Sequence, residues 1–137
     1  MKILHQFPPN IEDIQEAGMC PDPLNALFTY GDTIYAPGGS EVNWHLMAHE
    51  EVHERQQGKD PKAWWDRYIN DHIFRVAQEA EAYARQYEAI CDVLKDRNRR
   101  NKTLLDLSRI LSGPLYGNVV SKSGAMSLIK SKINKTA

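Results

Sequence analysis

His49 and His53 stand four residues apart, with Glu50 directly after the first. On an α-helix this spacing puts both imidazoles on one face, one turn apart. Two such rings can offer nitrogen atoms to one metal ion at about 2.0–2.1 Å each. Glu50, one residue round from His49, is then placed to hold a water at an open metal position and take its proton. A shuffled chain of this composition contains His-Glu-x-x-His roughly once in a hundred times, so accident explains the pattern poorly.

The elements that must position these groups are legible around them. A helix is expected from about Glu41 to Gln57, with Ser40 as N-cap after Gly38-Gly39 and Gly58 as stop. Val42, Leu46, His49, His53 and Gln56 or Gln57 fall on one stripe, so the histidines continue an inward-facing line. Leu27-Phe28-Thr29-Tyr30 and Thr33-Ile34-Tyr35-Ala36 are β-prone runs around Gly31-Asp32, which signals a hairpin. Such a hairpin either pairs with an extended peptide or supports the helix, and support is the plainer expectation. Residues 1–9 read as extended lead-in because Pro8-Pro9 excludes helix. Asn10 is expected to cap a short helix from Ile11 to about Ala17.

Downstream, Asp60 and Pro61 open a helix to about Asn70. Its Trp64, Trp65 and Tyr68 read as core anchors beneath the site, with Trp64 or Trp65 as an alternative pocket wall. Asp71 opens the longest helix, about His72 to Lys95, whose apolar stripe runs from Ile73 through Val76, Ala80, Tyr83 and Tyr87 to Leu94. Residues 96–102 read as a basic loop and Thr103 to Leu111 as a helix. A last basic amphipathic helix is expected between Ser121 and Ile133, broken by Gly124 or starting after it.

Two histidines need at least one further protein ligand on a catalytic zinc. Position 56 is Gln and position 59 is Lys, which excludes the longer pattern that continues to a third histidine. The long helix offers Glu79 and Glu81. Glu79 lies beside Val76 and Tyr83 on the shoulder of the buried stripe, whereas Glu81 lies beside Arg85 and Glu88 on a solvated face. The inward ligand is therefore expected to be Glu79, with Glu81 and His72 as alternatives. Tyr83, one turn after Glu79, is placed to hydrogen-bond a ligand. Tyr83, Tyr87 and Tyr116 are candidate donors to an oxyanion. His45 reads as a packed residue, and Cys20 as a remote candidate for a latency ligand.

His49-Glu50-x-x-His53 followed by Glu79-x-x-Ala82 resembles the gluzincin metallopeptidases. Gln56-Gln57, Trp64-Trp65 and the run Glu79 to Tyr83 are also similar to small phage-encoded zincin-like proteins. The resemblance covers roughly residues 27–90. It implies a mostly helical α+β fold, a minimal zincin-like domain with a hairpin packed on the metal helix. It further implies Zn2+ on His49, His53 and Glu79, Glu50 as general base, a catalytic part for Tyr83, and a peptide or protein substrate. The chain departs from many gluzincins at one position: four residues after the ligand Glu they carry Asp or Asn, and here stands Tyr83. The alternative is a non-catalytic zinc-stabilised structural or interaction protein on the same scaffold.

At 137 residues one domain is expected. Residues 1–94 form its zincin-like part, and 95–137 a basic helical extension packed on it. The net charge of −1 conceals an asymmetry. Residues 1–94 carry 7 Lys+Arg against 16 Asp+Glu, and residues 95–137 carry 10 against 2. The basic stretch 95–135 is therefore a candidate contact for nucleic acid or an acidic partner, or else docks on the acidic body of its own fold. No apolar run is long enough to cross a membrane, and the N-terminal apolar stretch is too short for a signal peptide. Cys20 and Cys91 read as reduced thiols, so a cytoplasmic setting is expected, in a host cell or else in a virion if the chain is phage-encoded.

Overall fold

The computed structural model describes residues 1–133. The fold is α+β and mostly helical. Its elements are β1 (Lys2–Leu4), α1 (Ile11–Glu16), β2 (Phe28–Tyr30), β3 (Thr33–Tyr35), α2 (Trp44–Gln57), α3 (Pro61–Asn70), α4 (His72–Val93), α5 (Arg97–Leu111) and α6 (Lys122–Lys132). Single 3-10 turns lie at Pro23–Asn25 and Pro114–Tyr116. β2 and β3 form the expected antiparallel hairpin, with Thr29 opposite Ile34. The lead-in adds a strand: β1 pairs parallel to β3 on its other side. Asn10 precedes α1 but its side chain makes no cap bond.

α2 begins three residues later than the sequence suggests. Asn43, in extended backbone, accepts the N–H of Leu46 at 3.0 Å and is the actual cap. Upstream, Gly38 presses on the preceding loop so closely that a Cβ there would sit 1.9 Å from the Leu24 carbonyl oxygen. That contact seats Gly38 against the 3-10 turn, and Glu41 and Val42 lie ahead of the helix. α2 stops where Gly58 takes φ +58°, a region side chains other than glycine rarely enter. Asp60 caps α3 through the Ala63 N–H, and Asp71 both ends α3 and caps α4 through the Phe74 N–H. Two helices joined by one residue must fold back sharply, which brings Tyr68 of α3 against α4.

The expected loop at 96–102 is the start of α5. The Asp96 side chain accepts from the N–H groups of Asn98 and Arg99, at 2.8 and 3.2 Å. The charged run then forms an exposed helical face, with Lys102 and Asp106 paired at 2.8 Å one turn apart. Arg100 reaches back to the carbonyls of Leu94 and Cys91, at 2.6 and 2.8 Å. It thereby satisfies the end of α4, which closes at Val93 rather than Lys95. Ser121 caps α6 through the Gly124 N–H, so Gly124 lies in the first turn without breaking it.

One buried cluster joins α4 to α5 and α6 through Val76, Ala80, Tyr83, Leu107, Leu111 and Ile129. Another joins α1, β2 and α3 through Ile14, Phe28, Trp64, Trp65 and Tyr68. α2 packs along α4. Ile73, expected at the head of the α4 stripe, is 74 % exposed. The helix instead buries several faces, because Glu79, Ala82 and Gln86 are enclosed as well as Val76 and Ala80. The C-terminal helices attach by apolar packing. Among the described residues, their ion pairs are Lys102 and Arg109 with Asp106, all within α5. Lys135 of the expected basic stretch lies outside the described residues. Among the described residues, no helix is long and apolar enough to cross a membrane.

Candidate metal centre

α2 presents His49 and His53 one turn apart, and α4 brings Glu79 to them. Glu79 Oε1 lies 3.1 Å from Nε2 of each histidine. The two Nε2 atoms are 3.2 Å apart. All three side chains are buried. A tetrahedral ion with bonds of about 2.0–2.2 Å holds its ligand atoms roughly 3.3–3.5 Å apart. The observed triangle needs to widen by only a few tenths of an ångström. Of the other two candidates for the third corner, His72 is exposed, and Glu81 is exposed and accepts instead from Gln56 Nε2 at 3.3 Å.

Glu50 stands beside the triangle rather than in it. Its Oε2 is 3.7 Å from His49 Nε2, and its Oε1 accepts from the Thr29 hydroxyl of β2 at 3.0 Å. The side chain is buried, with ligand atoms of His49, Glu50 and His53 all within 4.8 Å of one another.

Each corner of the triangle is fixed from behind. Gln56 Nε2 donates to the Gln78 carbonyl at 3.0 Å, so the amide oxygen of Gln56 faces His53 Nδ1, 2.8 Å away. His53 Nδ1 must then carry the ring hydrogen, which leaves Nε2 as the atom facing Glu79. His49 follows the same logic. Its Nδ1 donates to Gln86 Oε1 at 2.9 Å, and Gln86 Nε2 donates to His45 Nδ1 at 3.0 Å. Tyr68 donates to Glu79 Oε2 at 2.6 Å, which turns Oε1 toward the histidines. Tyr68 is itself anchored, because the buried Arg75 donates to the carbonyls of Tyr68 and Ile69 at 2.9 and 2.7 Å.

This shell was only partly readable in advance. Gln86 lies two turns after Glu79 and Gln56 one turn after His53, so helical spacing alone places both on the right faces. Together they orient the two rings. Tyr68 and Arg75 had no such signal, since they arrive through the α3–α4 fold-back. Tyr83 packs edge-on against His49, ring centroids 4.6 Å apart, and its hydroxyl lies 2.7 Å from that of Tyr116. The hydrogen bond to the glutamate comes from Tyr68. The hairpin is a support: Gln57 Nε2 and Trp65 Nε1 both donate to the Thr29 carbonyl, at 2.7 and 2.9 Å, and Gln57 Oε1 accepts the Gly31 N–H at 2.7 Å. That part of the β2 edge is already paired by side chains.

Burial opposes charge on His53, but Glu79 beside it outweighs burial, with Glu50 adding to it, and the ring pKa rises to about 9. Burial likewise opposes charge on Glu79, and the two histidines overcome it, holding the carboxyl well below the usual carboxylate range. Without a cation, His53 and Glu79 therefore share a proton at neutral pH. A divalent cation satisfies the three converging electron pairs by displacing it. Burial and then Glu79 push the Tyr68 hydroxyl well above its ordinary pKa, so it stays a donor. If the triangle takes up zinc, Tyr68→Phe is expected to weaken that binding about 10–100-fold with the fold retained, read by competition with a chelating dye. Unchanged affinity would show that Tyr68 does not orient Glu79.

The triad and Glu50 line a cavity of about 470 Å3. Trp64, Tyr83 and Tyr116 share its wall, as does the free, buried Cys20. No protein-family model, curated protein or solved structure matches this chain.

Proposed function

We propose that the chain is a zinc-dependent metallopeptidase of the gluzincin type. The observation that carries this reading is the triangle of His49 Nε2, His53 Nε2 and Glu79 Oε1, at 3.1–3.2 Å, with a buried Glu50 beside it. Two imidazoles and one carboxylate are a donor set suited to zinc. A purely structural zinc site closes with four protein ligands. Here His49, His53 and Glu79 converge at 3.1–3.2 Å, Glu50 stands off at 3.7 Å from His49 Nε2, and all four border a cavity. Zinc, when bound, supplies Lewis acidity toward a peptide carbonyl and lowers the pKa of a water.

The remaining chemistry belongs to the chain's own residues. Glu50, held by the Thr29 hydroxyl, takes the proton of the attacking water and passes it to the leaving amine. Tyr83 and Tyr116 share one hydrogen bond between two hydroxyls, so one O–H of the pair remains free to donate. Burial raises the pKa of both, which keeps them protonated. Both line the cavity, and the free O–H can donate to a developing oxyanion. The expected result is hydrolysis of internally quenched peptides that stops on metal removal and returns on adding zinc. Hydrolysis unchanged after complete metal removal would contradict the proposal.

A further inference from the structure

Ile110 and Leu115 are large apolar side chains left 45 % and 42 % exposed. Both nevertheless line the cavity that holds the triad. Ile110 lies three residues after Leu107 on α5, and Leu107 also lines the cavity, so the two share one side of the helix. Leu115 follows in the 3-10 turn. The segment from 95 onward is strongly basic, yet among the described residues it lines this cavity with Leu107, Ile110, Leu115 and Tyr116 and with no Lys or Arg. Met19, Leu27 and Leu46 line the cavity as well.

The charges of the cavity point the same way. Among the described residues, its lining includes the carboxylates of Glu41, Glu50 and Glu79 and no Lys or Arg. A divalent ion offsets two of these charges and leaves one. An acidic side chain entering the cavity would lose water, meet a net negative lining and find no Lys or Arg there to pair with. A free C-terminal carboxylate would meet the same obstacle. A bulky apolar side chain would be drawn in by the surface it covers.

We propose that Ile110 and Leu115 form the specificity-determining wall of this site, which accepts a bulky apolar side chain from an internal peptide segment and rejects acidic ones. This rests on the peptidase reading and deepens it. The test uses end-blocked, internally quenched peptides identical except at one residue, carrying Leu, Ala or Asp. With zinc-loaded wild type, kcat/KM is expected to fall by about 100-fold from the Leu to the Asp peptide. Ile110→Ser and Leu115→Ser are each expected to lower the Leu value about 10-fold more than the Ala value. Both side chains are half-exposed, so zinc content and helical signal should stay at wild type.

Binding of the Leu and Asp peptides to the wild-type protein without zinc is followed in parallel by tryptophan fluorescence, since Trp64 and Trp65 line the cavity. Selective binding of the Leu peptide, weakened in both Ser variants but with no hydrolysis by the zinc form, would support the wall and overturn the peptidase reading. Hydrolysis without preference among the three peptides, or unaffected by either Ser variant, would overturn the wall and leave the peptidase reading standing. Neither binding nor hydrolysis would overturn both.

Discussion

Glu50→Gln is expected to keep its zinc and lose about a thousandfold in kcat/KM on peptides. The two halves of that result have separate physical grounds. Glu50 is not a corner of the donor triangle: its nearer oxygen is 3.7 Å from His49 Nε2, against 3.1 Å for Glu79. A carboxamide has nearly the same shape, and its oxygen still accepts from the Thr29 hydroxyl, so the contact with β2 survives. What disappears is the capacity to take a proton. Zinc titration and peptide hydrolysis measured on the same preparation read the two halves together. A Gln variant that cleaves as fast as wild type would place the base elsewhere.

Glu79→Ala and His53→Ala are expected to weaken zinc binding by more than about 100-fold, beyond what loss of an orienting partner causes. Glu79→Ala removes the buried acceptor of the Tyr68 hydroxyl and the carboxylate that faces both imidazoles. Leaving a buried polar group unpaired costs about 1–3 kcal/mol, so this variant is also expected to melt lower than wild type. Glu79→Gln separates the two effects: its amide keeps an oxygen for one partner but lacks the charge. It should recover part of the stability without recovering the affinity. Chelator competition gives the affinities and thermal melting the stabilities. Zinc retained in Glu79→Ala but lost in His53→Ala would make another carboxylate the third ligand, with Glu50 nearest.

The convergence of His49, His53 and Glu79 was legible because each residue obeys a local rule. His49 and His53 declare their common face by spacing, and Glu79 its inward direction by its place beside Val76 and Tyr83. α3 and α4 were equally plain, since Asp60-Pro61 and Asp71 are strong start signals. Where local signals competed, tertiary contacts decided. Ser40 and Asn43 are both good caps, and the helix uses Asn43, downstream of the close approach of Gly38 to Leu24. The charges of 97–102 read as loop because a helix exposed on one side needs no apolar residues there. β1 gave no sign of its partner about thirty residues away. Tyr68 reaches the site by a sharp reversal of the chain, which no periodicity reports.

The most direct measurement is the zinc content of purified wild-type protein, by elemental analysis after equilibration with zinc and removal of loosely held metal. About one zinc per chain is the expected result, from two imidazoles and a carboxylate already converged within 3.2 Å. A folded protein that retains no zinc under those conditions would contradict the metal centre, and with it the proposed chemistry.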